Sequence, residues 1–112
     1  MKKFIVLYHV PASVMAERAN MEVSEEQKAE GMKAWMDWKE RSGDAIVDLG
    51  APLMGGESLG NGGNWAPSNR EVAGYSIVQA SDKDQAKTFF KGHPHLHWAE
   101  GASLEIHEVA PM

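Results

Sequence analysis

The sequence predicts an α+β protein of ferredoxin-like topology, in which a βαββαβ chain forms an antiparallel sheet with two helices on one face. Three observations predict this class. Apolar, strand-like runs occur at both ends and in the middle of the chain, capped helical segments follow the first and third runs, and Gly or Pro residues separate the elements. At 112 residues, the chain is expected to form one domain over 1–112.

The four strands are predicted from apolar periodicity and from the residues that end each run. The first run is apolar on both faces until Pro11, which is typical of a central strand. The last run alternates between apolar residues such as Leu104 and polar residues such as His107, which is typical of a half-buried strand. The predicted strands are 3–10, 45–49, 72–80 and 103–109.

The first main helix is predicted from a capping box, because Ser24 is followed three residues later by Gln27. Gly43 provides the C-terminal stop of this helix. A shorter helical turn, over 12–20, is expected before the main helix. Trp38 is expected at an edge of this helix or at an interface. Its core-facing stripe is predicted to hold Ala29, Met32, Trp35 and Met36.

The second helix is predicted to begin after Ser81 and Asp82 and to end at Gly92. Between the second and third strands lies the glycine-rich segment 54–70, which is too long for a tight turn and is expected to be a mobile flap or an ornamented hairpin. Trp65 in this segment is expected to close over a pocket or to pin the segment to a partner subunit.

Composition excludes several classes of function. A net charge of −5 without a basic run argues against a general nucleic-acid binder. The absence of cysteine excludes disulfides and thiolate chemistry. The apolar run before Pro11 lacks a signal-peptide cleavage site, so we expect a cytoplasmic protein without a membrane partner, whose ligand is a small organic molecule.

A sheet with both helices on one face leaves its other face uncovered. Because the first and third strands carry apolar residues on both faces, the sequence predicts that a second copy of the chain covers this face. The expected assembly is a homodimer that closes face to face.

Four segments carry a family resemblance: the opening 1–8, the helix segment 31–36 (Gly-Met-Lys-Ala-Trp-Met), the turn 48–53 (Asp-Leu-Gly-Ala-Pro-Leu), and the closing helix, turn and strand. In these segments the chain resembles the YCII-related family within the dimeric α/β-barrel superfamily. It implies a small-molecule pocket inside a dimeric barrel, and some relatives are associated with dehalogenation or lactone chemistry through a histidine and a carboxylate. Where the family often has Asp-Pro-Phe, this chain has His93-Pro94-His95, so no carboxylate role is carried over.

Three histidines in five residues form the strongest candidate site: His93, His95 and His97. Because His93 precedes a proline, the segment is expected to be extended or turn-like, and residues two apart in an extended chain share a face. They are therefore candidate proton carriers and, if a metal binds, candidate ligands for zinc, nickel or copper. The competing interpretation is that one of them caps helix carbonyls while the others pack or face solvent.

His9 and Asp48 are candidates for orienting these imidazoles, since both lie near strand ends. For Asp48, capping the turn that follows it is the competing and stronger interpretation. Trp65 and Tyr75 are expected to contact the ligand, and no cofactor is expected.

The leading functional hypothesis is a small-molecule-binding homodimer that catalyses a cofactor-independent acid/base step through the histidine cluster. One alternative is a non-catalytic ligand-binding or accessory module. A second alternative is a cofactor-free monooxygenase-like enzyme, which needs a dry, aromatic pocket.

Overall fold

The computed structural model describes residues 1–19 and 21–111, and the last position of the predicted turn of helix, Asn20, lies outside this part. Its strands are β1 (Lys2–His9), β2 (Ile46–Pro52), β3 (Glu57–Leu59), β4 (Trp65–Pro67), β5 (Val72–Ala80) and β6 (Ser103–Glu108). Its α-helices are α1 (Ala12–Ala19), α2 (Glu25–Ser42), α3 (Lys83–Thr88) and α4 (Pro94–Trp98), and a 3₁₀ turn occupies Gly43–Ala45.

The main sheet has the strand order β2-β5-β1-β6, and all its neighbours are antiparallel. The two strands that the sequence predicts as apolar on both faces, β1 and β5, occupy the centre, where both edges of each strand are hydrogen-bonded. This is the ferredoxin-like order for a βαββαβ chain, so the predicted α+β topology and its four main strands are confirmed.

One face of the sheet, called here the covered face, packs against the helices. Phe4, Val6 and Tyr8 of β1 alternate onto it and are at most 2% exposed. The core that they form includes Val78 and Ala80 of β5, Trp38 of α2, and Ala86 and Phe90. The helices that supply this core therefore lie on the same side of the sheet, as the sequence predicts.

The other face, called here the open face, carries the residues of opposite parity. Strand register places Ile5 beside Ile77 and His107, and Leu7 beside Glu105. The residues of the open face include Ile5, Leu7, His9, Asp48, Tyr75, Ile77, Glu105 and His107. The Cα extents of 43 × 38 × 19 Å describe a thin plate, as one sheet and one helix layer would give.

Helix α2 begins and ends as predicted. Ser24 accepts from the backbone N–H of Gln27 and Gln27 reaches back to Ser24 N–H, so the capping box is complete, and Gly43 caps the C-terminus with φ of 56°. The predicted core-facing stripe is wrong except at Trp35, because Ala29 is exposed and Met32 and Met36 are 63% and 44% exposed.

The two tryptophans of α2 also exchange their expected roles. Trp38 is 1% exposed and its indole N–H donates to the carbonyl of Phe89 at 2.7 Å, so Trp38 and not Trp35 is the core residue. Trp35 is only partly buried at the margin of the core. The helix covers the sheet with these two large side chains one turn apart, which displaces the flanking methionines from the core.

Strand β2 is longer than predicted, because Gly50 lies inside it rather than ending it. Its pairing with β5 shifts register twice, and Gly50 has φ of 81° at the second shift. A Cβ at this position would overlap the carbonyl oxygen of Tyr75, so only glycine fits the bulge.

The glycine-rich segment contains a short hairpin, which is the second of the two predicted alternatives. Strands β3 and β4 pair with each other and not with the main sheet, and Leu59 lies opposite Trp65. Both of these side chains are more than half exposed. In the described part of the chain, no helix combines the length and the apolar character that a membrane span requires.

Candidate functional site

The histidine segment is helical and not extended, which corrects the sequence-based expectation. Pro94 occupies the first turn of α4, a position where its missing N–H costs nothing, and His93 precedes it as an extended N-cap with φ of −61° and ψ of 138°. His93 Nδ1 accepts the backbone N–H of His95 at 3.0 Å and so caps this helix. The rule for residues before proline therefore applies to His93 alone.

Because the segment turns, the three imidazoles point to different surroundings. His93 and His95 are buried, whereas His97 is exposed in a groove between α2 and α4 that also holds Asp37 and Arg41. No group of three or more His, Asp or Glu side chains in the described residues has a geometry suited to a metal ion. The conditional metal set of His93, His95 and His97 therefore does not form.

His93 is enclosed by aromatic rings. Its exposure is 0%, and the ring centroids of Trp38 and Trp35 lie 4.4 and 4.6 Å from its own. Burial, assisted by electrostatic interactions with His95 and Arg41, lowers the pKa of His93 to about 3. His93 is therefore neutral at physiological pH, and it does not act as a proton carrier in that pH range.

A chain of hydrogen bonds runs from His93 across the covered face. The Tyr8 hydroxyl donates to Ser76 Oγ at 2.7 Å, and Ser76 donates to the carbonyl of Leu49 at 2.6 Å. Since both hydroxyl protons are used, the 3.3 Å contact between His93 Nε2 and the Tyr8 oxygen requires that Nε2 carries the proton. Burial raises the pKa of Tyr8 to about 12, so this phenol stays protonated.

The imidazole ring of His95 is anchored at its Nε2 atom. Its Nε2 lies 3.0 Å from two carbonyl oxygens, those of His9 and Ser103. Carbonyls only accept, so Nε2 carries the proton and donates, which leaves the lone pair on Nδ1. Among the described residues Nδ1 has no hydrogen-bond partner, and it is the free basic nitrogen of the site.

His95 lines a cavity of about 370 Å³ between the covered face and helices α2 and α4. This volume suits a small organic ligand. Among the described residues, its lining is mostly aromatic and apolar and includes no Asp, Glu, Lys or Arg. The lining residues are Tyr8, Met32, Trp35, Leu49, Gly50, Ala51, Pro52, Ala73, Gly74, Tyr75, His95 and Trp98.

Helix α1 braces the mouth of this cavity at Trp98. The guanidinium of Arg18 donates to the Trp98 carbonyl at 2.5 Å and stands 4.9 Å above the Trp98 ring. The same helix is fixed at its start by Glu71, whose carboxylate accepts the backbone N–H of Ala12. Both contacts fix the position of Trp98 relative to the sheet.

The candidates His9 and Asp48 lie on the open face, away from His93 and His95. The Nδ1 of His9 donates to the carbonyl of Arg70 at 2.9 Å. Its buried Nε2 lacks a hydrogen bond in the described structure and lies 3.6 Å from a Glu105 oxygen. His9 reaches the site only through its backbone carbonyl, which accepts from His95.

Asp48 adopts the turn-capping role that the sequence favours. Its Oδ1 accepts the backbone N–H of Gly50 at 2.8 Å, and its Oδ2 accepts the Tyr75 hydroxyl at 3.3 Å. No imidazole contacts Asp48 among the residues that the structure describes. Of the two predicted ligand contacts, Tyr75 is among the residues that line the cavity, although its hydroxyl group bonds Asp48 on the open face. Trp65 lies on the exposed hairpin outside the lining.

Sequence reasoning missed the aromatic wall formed by Trp35 and Trp98. Trp98 directly follows the histidines and could have been assigned to the same site from that proximity. Trp35 offers no such signal, because its helical spacing is equally typical of a core residue.

Together the sheet order and this cavity define a ferredoxin-like α+β domain with a small-molecule-sized chamber under its helices. The sequence profile of the YCII-related domain matches residues 1–110, and the chain belongs to this family. No curated protein matches the chain.

Among solved structures, the chain is similar to 5-chloro-2-hydroxyhydroquinone dehydrochlorinase (TftG) from Burkholderia phenoliruptrix AC1100, in complex with 2,5-dihydroxybenzoquinone. The match covers 94% of this chain and 91% of that chain, with 16% identity and a TM-score of 0.47.

Proposed function

We propose that the protein binds a small neutral organic molecule in the 370 Å³ cavity and transfers a proton to or from it through His95 Nδ1. The observation that carries this proposal is the anchoring of His95 Nε2 by two carbonyl oxygens, which fixes the tautomer and leaves Nδ1 as a base. An imidazole held in this way needs no cofactor to accept a proton.

The reaction that fits is proton abstraction from a ligand acid. The bond between the ligand and its acidic hydrogen breaks, the proton goes to Nδ1, and the electron pair stays on the ligand. The imidazolium then returns the proton elsewhere on the ligand or to a leaving group. The mostly aromatic and apolar lining lowers the local dielectric constant around this step, which strengthens the interaction between the imidazolium and the ligand anion.

His93 has a different role in this proposal. It positions His95 by accepting its backbone N–H, while its own ring stays neutral. His97, His9 and Asp48 take no direct part in proton transfer, because none of the three lines the cavity.

The proposal is tested by deuterium exchange. Cyclic ketones and hydroxyaromatic compounds of suitable size are incubated with the protein in D₂O, and exchange of their carbon-bound hydrogens is followed by ¹H NMR. The informative variant is His95→Gln, because its amide N–H can still donate to the carbonyls of His9 and Ser103 while the basic nitrogen is lost. The matched control is His97→Gln on the exposed side of the same helix.

We expect the exchange rate of at least one compound to fall by about 10²-fold or more in His95→Gln, as for the loss of a general base, and to stay unchanged in His97→Gln. Equal rates in both variants would contradict the proton-transfer step. If the exchange rates are equal and His95→Gln still binds the compounds, the protein is a ligand-binding module.

The aromatic wall also favours the monooxygenase alternative as a second candidate, because a dry aromatic pocket is what that chemistry needs. Oxygen consumption distinguishes the two functions. Proton exchange that proceeds equally well without oxygen supports the acid/base function, whereas turnover that stops in anaerobic buffer supports the monooxygenase.

We also propose that two copies pair through their open faces. Ile5, Leu7 and Ile77 form a contiguous apolar row there, and both helices that contact the sheet lie on the other side. The radius of gyration of 15.5 Å exceeds the value of about 13 Å expected for a compact chain of this length, as it would for one half of an assembly.

Light scattering tests the pairing. We expect a particle of twice the 12.3 kDa protomer mass, and a Leu7→Lys variant that dissociates, because its charge would lie inside the apolar row. A wild-type protein that is monomeric at micromolar concentration would rule out the barrel.

A further inference from the structure

The two tryptophans of helix α2 differ in one respect that packing does not explain. The indole N–H of Trp38 is satisfied by the carbonyl of Phe89 at 2.7 Å. The indole N–H of Trp35 has no hydrogen-bond partner among the described residues, although Trp35 is partly buried and lines the cavity. Its Nε1 is not among the buried side-chain polar atoms that lack a partner in the described structure, so this free donor is accessible to a water or ligand oxygen in the cavity.

The Trp35 ring is also rigidly placed. Its plane stands nearly perpendicular to those of Tyr8, His93 and Trp38, at 88°, 83° and 87°. These edge-to-face contacts, at centroid distances of 4.6 to 6.1 Å, hold the ring from several sides. A donor fixed in this way does not have to reorganise when a ligand binds.

We infer that the Trp35 indole N–H is the donor that binds the ligand's oxygen, and that the cavity therefore selects neutral molecules with a carbonyl-type acceptor beside the acidic hydrogen. This inference rests on the proposed function, because His95 Nδ1 is the group that takes the hydrogen. Charged ligands are excluded by the absence of ionic side chains from the lining.

His95 Nδ1 and the Trp35 N–H have separate roles in the proton abstraction. As the acidic C–H bond beside the carbonyl breaks, the proton moves to His95 Nδ1, the C–H electron pair forms a carbon–carbon double bond, and the π pair of the carbonyl moves onto its oxygen. The product is an enolate, and its developing negative charge is stabilised by the Trp35 N–H. Trp35 is thus assigned to ligand binding, whereas its helical spacing alone predicts a core residue.

The experiment uses two neutral probes of similar shape, toluene and benzaldehyde, of which only benzaldehyde has an acceptor oxygen. Binding is followed by ¹H–¹⁵N NMR of the indole groups, with the Trp35 signal assigned by its loss in Trp35→Phe. The control variant is Trp98→Phe, which alters the other tryptophan of the cavity wall. A methyl signal of Met32 reports whether either probe enters the cavity.

We expect benzaldehyde to shift the Trp35 indole proton downfield and toluene to shift it much less. The ratio of the toluene Kd to the benzaldehyde Kd should fall about fivefold in Trp35→Phe, as for the loss of one hydrogen bond, and stay constant in Trp98→Phe. If Trp35→Phe does not fold, the Trp35 indole signal is assigned in the wild type by its nuclear Overhauser contacts with the Tyr8 ring, and the wild-type shifts decide the question.

Two results would overturn the inference, and they have different consequences for the proposed function. If both probes shift the Met32 signal while the Trp35 indole proton does not distinguish them, Trp35 is not the donor and the proposed function stands. If neither probe shifts any cavity signal, the small-molecule site itself fails, and the assignment of Trp35 fails with it.

Discussion

The two faces of the sheet each bring histidines close to other polar groups, with opposite consequences. On the covered face, His93 and His95 are at most 5% exposed, and each has a fixed tautomer because its hydrogen-bond partners are carbonyls, hydroxyls or backbone N–H groups. On the open face, His9 and His107 flank the carboxylate of Glu105, at 3.6 and 2.9 Å.

This difference shows that burial, and not the number of imidazoles, decides what a histidine cluster can do. The covered face has no ionic partner for its histidines, so burial keeps His93 neutral and leaves a directed lone pair on His95. The open face has an ion-pairing partner in an exposed carboxylate, where water screens each interaction. A directed proton transfer is therefore expected on the covered face only.

The largest effect is expected where the covered face depends on the backbone of β2. Gly50→Ala should destabilise the protein by roughly 3 kcal/mol or more, because alanine disfavours φ of 81° and its methyl group would overlap the Tyr75 carbonyl. Urea unfolding measures the loss. The control is Gly62→Ala, whose added methyl group would meet no atom within 4 Å, and equal stability of the two variants would show that the bulge is not required.

The second effect is an acid sensitivity that comes from His93. Its pKa is about 3 in the folded protein and near 6.5 when unfolded, so the unfolded state binds more protons between these values. The contribution of His93 to stability is complete above pH 6.5 and is lost progressively as the pH falls toward 3. Between pH 7 and pH 4.5 the loss should be roughly 2 to 3 kcal/mol.

His93→Asn isolates this contribution, because asparagine is a good N-cap and does not titrate. Urea unfolding at both pH values should show a smaller pH dependence for the variant than for the wild type. An identical dependence in the two proteins would mean that His93 takes up its proton in the folded state.

The sequence predicted the framework of the covered face better than its site, for physical reasons. Strands β1 and β5 and the cap of α2 follow from local patterns, which are visible in consecutive residues. The tautomer of His95 depends on the carbonyls of His9 and Ser103, which pairing brings together from opposite ends of the chain. No local pattern contains that information.

The helix α4 shows a different limit of sequence reasoning. His93-Pro94 was interpreted through the restriction that proline places on the residue before it, which predicted an extended segment for all three histidines. The same proline is also a favourable first residue of a helix, and this second effect determines the structure from Pro94 to Trp98. Choosing between the two effects required knowledge of what the segment packs against.

The third prediction compares the two tyrosines of the sheet. Tyr8→Phe should cost about 1 to 2 kcal/mol, because it leaves the buried Nε2–H of His93 without an acceptor. Tyr75→Phe removes an exposed hydroxyl that donates to Asp48 at 3.3 Å, and it should cost less than about 0.5 kcal/mol. Denaturant midpoints measure both, and equal losses would contradict the distinction between the two hydrogen-bonding environments.

The smallest effect is expected for Glu105→Gln on the open face. The hydrogen bond from His107 and the nearby His9 hold the pKa of this carboxyl below its usual range, yet the group is fully exposed and water can replace both partners. We therefore expect no measurable change in the unfolding free energy of the isolated protomer at pH 7. A loss as large as that of Tyr8→Phe would mean that Glu105 is desolvated in solution. Glu105 can be desolvated only when a second copy covers the open face. The loss of stability in Glu105→Gln would then have to increase with protein concentration, because pairing depends on concentration.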